Sequence, residues 1–197
     1  MTHSIPEAIL MPTRRGILTG GSRALLSAGA IALLGNFAFD AKAAPSKANA
    51  GDAAILNVAI GLEFEGINAY AIALKSGLLK PDFVAVATKF QDDHKKHNDA
   101  LIATLRKLGG EPVREKTEAE YAKELNVDRL KTNDDVLSFA AGLELGATNA
   151  YLGLIPSLTD KQLGKIAARL AADEAAHFAL LNFVLGRPLP ASLSFGA

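Results

Sequence analysis

The chain of 197 residues carries 21 Lys and Arg against 21 Asp and Glu, a formal net charge of zero, and that balance argues against nucleic acid as the main partner. It has no cysteine, which excludes a disulfide scaffold, a thiolate metal site and a cysteine nucleophile. With 49% apolar residues, 6% aromatics and no Trp, a chain of this size is expected to form a helical domain with an appended segment.

Residues 1–43 read as a targeting segment. A polar start runs into Thr13-Arg14-Arg15-Gly16-Ile17-Leu18, a mildly apolar stretch follows from Ala24 to Phe39, and Ala41-Lys42-Ala43 supplies the small-x-small pattern of a cleavage site. Twin arginines ahead of an apolar stretch resemble a Tat signal. The stretch of 16 residues falls short of the ~20 that span a bilayer, so no stable membrane insertion is expected after cleavage. Cleavage after Ala43 removes four basic and two acidic residues and leaves a domain, 44–197, with a net charge of −2. The expected location is the periplasm, and the lack of Cys fits an oxidising compartment. Because the Tat route exports folded proteins, the leader also hints at a metal or cofactor.

Prolines at 45, 81, 112, 156, 188 and 190 partition the domain, since Pro breaks helix interiors yet suits a first turn. A first helix is predicted from about Asp52 to Leu79, and a second from Pro81 to Leu108, ended by Gly109-Gly110. Some 22 residues then include Thr117-x-x-Glu120, a capping box that opens a short helix. A third long helix runs from Thr132 to about Ile155, and a fourth from Thr159 to Leu185. Thr132 with Asp135, and Ser157 with Asp160, are read as capping pairs. Strand signals are absent. The fold class is therefore all-α: a four-helix bundle of ferritin-like connectivity, with a long crossover between the second and third long helices.

The bundle is an internal repeat. Gly61-Leu-Glu63-Phe-Glu-Gly-Ile-Asn68-Ala69-Tyr70 matches Gly142-Leu-Glu144-Leu-Gly-Ala-Thr-Asn149-Ala150-Tyr151 at an offset of 81. Asp93-His94-Lys-Lys-His97 matches Asp173-Glu174-Ala-Ala-His177 at an offset of 80. Two similar helical hairpins result, with Glu63 opposite Glu144 and His97 opposite His177.

Helical spacing places these groups on inward stripes. The first helix presents Leu56, Ile60, Glu63, Ile67, Tyr70 and Leu74; the second Phe83, Val86, Phe90, His94, His97, Leu101 and Leu105. The third presents Leu137, Ala141, Glu144, Thr148, Tyr151 and Ile155; the fourth Leu163, Ile166, Leu170, Glu174, His177, Leu181 and Val184. Buried unpaired carboxylates cost several kcal/mol each, and no Lys or Arg lies on these stripes. A divalent metal would supply the missing charge, because carboxylates and imidazoles at i, i+3 share a helical face and reach one ion at roughly 2.0–2.2 Å. Mutual hydrogen bonding of the histidines and glutamates is the bland alternative.

A Glu on one helix with Asp-Glu-x-x-His on the next, twice over, resembles the ferritin-like di-iron carboxylate superfamily. More narrowly, the chain is similar to bacterial, Tat-exported ferritin-like domain proteins of the desiccation-related type. The resemblance implies metal ligands at Glu63, His97, Glu144, Glu174 and His177. It departs from the pattern at one place, where His94 stands for the expected bridging Glu. Three glutamates and three neutral imidazoles leave a +1 site when two divalent ions bind, so the second should bind more weakly. Fe or Mn is the expected metal, as one or two ions; Zn is also open, because extra imidazole favours Zn, Cu or Ni over Mn. The resemblance also gives Asp93 and Asp173 the task of orienting a ligand histidine on the partner helix, with a solvated face residue as the alternative. Tyr70 and Tyr151 are read as core tyrosines with bonded hydroxyls, Gly61 and Gly142 as points of close helix approach, and Glu65 as a packing or solvent-edge group.

Three functions follow as expectations. The first is a metal-dependent oxidase acting on oxygen, peroxide or Fe(II). The second is a non-catalytic stress-related protein with a structural or degenerate metal site. The third, an iron-storage cage, is disfavoured by the leader and by the tail from Arg187 with its two prolines. Metal ions are the expected partners, and a homodimer is open.

Overall fold

The computed structural model describes residues 47–196; the leader read at 1–43 lies outside the described residues. Five α-helices follow one another with no strand among the described residues: α1 (Lys47–Lys75), α2 (Pro81–Lys107), the short α3 (Glu118–Glu124), α4 (Asn133–Leu154) and α5 (Lys161–Val184).

The boundaries follow from local chemistry. The first helix starts five residues before the predicted Asp52 and stops at Lys75, not Leu79, because Gly77 turns into the left-handed region at φ 69°. Pro81 opens α2, where its missing N–H is no loss. Thr117 and Glu120 form the predicted capping box of α3, and Thr132 with Asp135 forms another at α4. The Ser157 cap is a correction. Ser157 lies in a short 3₁₀ turn, Ile155–Ser157, and Asp160 alone caps α5 by accepting from the Gln162 N–H at 2.7 Å.

Helices α1 and α2 pack as one hairpin and α4 and α5 as the other, with α1 also against α4 and the short α3 laid on α1. The long crossover is pinned by side chains of α1. Asn57 donates to the Glu111 carbonyl at 2.9 Å and accepts from the Val113 N–H at 2.7 Å, and Asn68 donates to Glu115 at 2.8 Å. Asp52 accepts from the Thr159 and Asp160 N–H groups at 2.7 and 3.0 Å, tying the start of α1 to the second hairpin.

Two apolar layers fill the seam. Leu56, Ile60, Leu101, Leu105, Leu163 and Leu170 make one; Phe90, Leu137, Ala141 and Leu181 make part of the other. The predicted stripes hold along most of their length, with Ile67, Leu74, Phe83, Val86, Ile155 and Ile166 only half-buried. Val184 departs from its stripe and is exposed, as the helix ends there. By length and composition α1 has a segment, Ala50–Lys75, apolar enough to cross a membrane; in the fold it carries the buried Glu63 and faces its partners in the bundle. Between the two apolar layers lies a polar one.

Candidate metal centre

The polar layer gathers one or two ionisable groups from each long helix. Glu63 comes from α1, His94 and His97 from α2, Glu144 from α4, and Glu174 and His177 from α5, none more than 7% exposed. All six predicted site residues thus converge. They do so because their i, i+3 and hairpin-matched spacings put them at one height on four inward stripes.

Their donor atoms fall into two overlapping tetrads. Glu63, His94, His97 and Glu174 form one, and His94, Glu144, Glu174 and His177 the other, with the atoms of each within 4.8 Å of one another. His94 and Glu174 belong to both. His94 Nδ1 lies 2.8 Å from Glu63 Oε2 and its Nε2 3.5 Å from Glu144 Oε1. His97 Nδ1 is 3.0 Å from Glu174 Oε1, and His177 Nδ1 is 3.4 Å from Glu144 Oε2 and 3.3 Å from Glu174 Oε2.

Around these groups a set of contacts crosses between the hairpins. His97 Nε2 meets Asp173 at 3.2 Å, and His177 Nε2 meets Asp93 at 3.4 Å. Each aspartate thus engages the outer nitrogen of the other hairpin's histidine and leaves Nδ1 facing the centre, as a ligand-orienting group does. Tyr151 donates its hydroxyl to Glu63, and Tyr70 to Glu144, again across the bundle. Both tyrosines are bonded core groups as read, and both bond directly to the central glutamates. The repeat gave the signal: each Tyr follows its own hairpin's Glu by seven residues, two turns along the same face.

The reading of Gly142 is corrected here. A Cβ on Gly142 would meet nothing within 4 Å, so no close approach explains it; the tight position beside the cluster is Gly66, where a Cβ would come within 2.9 Å of the His94 ring. Glu65 is half-buried and lies on the side of Tyr121 in α3, whose phenol is pushed up to about 12 by burial and by neighbouring Glu115 and Glu65. Lys95 and Lys96 are exposed and pair with Asp92 and Asp93 at 3.1 and 3.6 Å.

Without metal, protons neutralise the cluster. Burial works against the imidazolium of His97, but the hydrogen bonds it donates to Glu174 and Glu63 outweigh burial and hold its pKa at about 10. His177 is held at about 9 against burial by Glu144 and Glu174. His94 is raised as well, against burial, by Glu144 and Glu63. Burial pushes Glu63 and Glu144 up, yet their histidine partners bring both below the usual carboxylate range. Glu174 is the exception, since burial dominates and its pKa is raised.

The residues fit a divalent ion. Six N and O donors converge with no Lys or Arg among them, a set that suits first-row metals. Glu174, the carboxylate shared by both tetrads, is fully buried, and its Oε2 makes no well-formed hydrogen bond, with His177 Nδ1 3.3 Å away; a cation would complete the coordination of such an oxygen.

Comparisons with known proteins agree with this architecture. A family model described as ferritin-like domain matches residues 51–187. Among solved structures, the chain is similar to a conserved hypothetical protein from Mycobacterium tuberculosis, at 20% identity and a TM-score of 0.62, covering 73% of this chain and 97% of that one. At that identity the likeness speaks for the fold alone. A search of the curated proteins finds no match.

Proposed function

Since the chain belongs to the ferritin-like domain family, we propose that it binds one or two divalent ions in its polar layer and uses them in oxidation chemistry. The observation that carries this reading is the pair of overlapping, fully buried tetrads at the bundle centre. Glu63, His97 and Glu174 would hold one ion; Glu144, His177 and Glu174 the other. Fe or Mn, when bound, would supply Lewis acidity and one-electron exchange toward oxygen, peroxide or Fe(II).

The chain's own residues do the rest. Asp93 and Asp173 fix the histidine tautomers by engaging Nε2. Tyr70 and Tyr151 aim the carboxylates by donating to one oxygen of each. Phe90, stacked on His177 at 3.9 Å between ring centroids, closes one side of the layer against water. Export by a Tat-type leader at 1–43, cleavage before 44–197, a periplasmic location and a role in desiccation or oxidative stress belong to the same proposal.

A second reading has its own observation. With every ligand at most 7% exposed, the metal suits a structural role in a non-catalytic stress-related protein. One experiment separates the two. Metal-free protein is loaded with Fe(II) without oxygen and then mixed with oxygen or peroxide. Fe(II) oxidation well above the buffer rate, lost in His97→Ala and His177→Ala, is the expected result. Tight metal binding with oxidation no faster than in buffer would establish the structural reading instead.

A further inference from the structure

The two tetrads share two side chains, Glu174 and His94, and His94 meets them with different atoms. Its Nδ1 faces Glu63 at 2.8 Å in the first tetrad, and its Nε2 faces Glu144 at 3.5 Å in the second. The ring is equidistant from the two outer imidazoles, with centroids 6.0 Å from His97 and 5.9 Å from His177. We propose, resting on the metal-binding reading above, that His94 is a bridging ligand, binding one metal ion through Nδ1 and the other through Nε2.

Three features of the chain support this. The ring has a place shaped for it: Gly66 leaves room that a Cβ would close, lying 2.9 Å from His94 Cε1 and Nδ1, whereas the matching position beside Glu174 in the repeat is Ala147. The outer histidines are committed elsewhere, because their Nε2 atoms already face Asp173 and Asp93; among the three, His94 is the one whose nitrogens both face central carboxylates. Charge then balances. An imidazole bound through both nitrogens has no N–H proton and is an anion, so three glutamates and one imidazolate set −4 against the +4 of two divalent ions. The N–H protons of the ring pass to solvent as two metal–nitrogen bonds form, and no electron is transferred. His94 therefore replaces the missing carboxylate in both connectivity and charge.

Crystals of the purified chain loaded with Zn(II) test this, using anomalous diffraction on both sides of the zinc edge. Two peaks are expected, one about 2.0–2.1 Å from Nδ1 of His94 and one at a similar distance from Nε2. Zinc stoichiometry by elemental mass spectrometry gives a second readout, with circular dichroism verifying the fold of His94→Ala. The second zinc of that variant should weaken by more than the roughly 10–100-fold that loss of an outer partner costs. A single zinc, two zinc ions bound with one His94 nitrogen unligated, or unchanged affinity in His94→Ala would overturn the bridge and leave the metal site standing. No zinc in the wild-type chain would overturn the metal-binding reading itself, and the bridge with it.

Discussion

Gly66 and His94 are a matched pair: a Cβ at 66 would lie 2.9 Å from Cε1 and Nδ1 of the His94 ring. Gly66→Ala should therefore destabilise the protein by about 1–3 kcal/mol, the usual cost of overpacking, and displace His94 from its carboxylates. In a His94→Glu background the ring is gone, and the same change should instead stabilise by roughly 0.5–1 kcal/mol, the helix preference for Ala. Urea denaturation of the four proteins measures the coupling. Equal effects of Gly66→Ala in both backgrounds would show that the two side chains are independent.

Asp93 and Asp173 are expected to act through the opposite hairpin's histidine. Asp93→Asn and Asp173→Asn should each weaken metal binding by about 10–100-fold, measured by chelator competition, with little change in stoichiometry. Asp173 has a side chain 62% exposed against 16% for Asp93, so Asp93→Asn should have the larger effect. Unchanged affinity in both variants would make them plain surface groups.

The metal-free protein should be least stable in alkali. His97 and His177 are held at about 10 and about 9 against burial by their glutamate partners, above the about 6.5 of an unfolded imidazole. Their contribution is complete below pH ~6.5 and lost as pH rises through 9 to 10. Glu63 and Glu144 are depressed by their histidine partners despite burial, so their contribution exists above the ordinary carboxylate value near 4.3 and is lost in acid. The melting temperature in chelator should thus peak between about pH 4.5 and 6.5 and fall steadily toward pH 10. Metal affinity should move the other way, tightening with pH as protons leave the ligands. A melting temperature that rises from pH 6.5 to 10 in chelator would contradict this assignment.

The sequence made the helices and the six-residue cluster legible for one reason: the repeat. Matching Glu63 with Glu144 and His97 with His177 gave height as well as face, which a single amphipathic stripe does not. Asp93 and Asp173 could be paired with histidines only in outline, because contact across hairpins depends on how the two units are rotated about their common axis. That rotation also directs Tyr70 to Glu144 and Tyr151 to Glu63, pairs 74 and 88 residues apart. Gly66 was invisible, since a glycine that clears space for one ring resembles any other helical glycine until the ring is placed. Helix α1 extends five residues ahead of its predicted start, and Ser157 lost its capping role to a 3₁₀ turn around Pro156.

Removing the tyrosine hydroxyls tests the cross-hairpin bonds. Tyr70→Phe and Tyr151→Phe each leave a buried glutamate oxygen with one donor fewer, and the metal-free protein should lose about 1–3 kcal/mol per change. With metal bound the loss should be smaller, since a cation then shares the carboxylate. Changes under about 0.5 kcal/mol in chelator would show that neither bond matters to stability.

The central claim is that the buried Glu and His layer holds metal, and elemental mass spectrometry of the purified chain tests it most directly. One ion per tetrad predicts about two equivalents of Fe, Mn or Zn in the wild type and a clear loss of metal in a folded His97→Ala, His177→Ala double variant. No bound metal after reconstitution with all three ions, or the same content in the double variant, would contradict the account and leave a bundle whose polar core is held by protons alone.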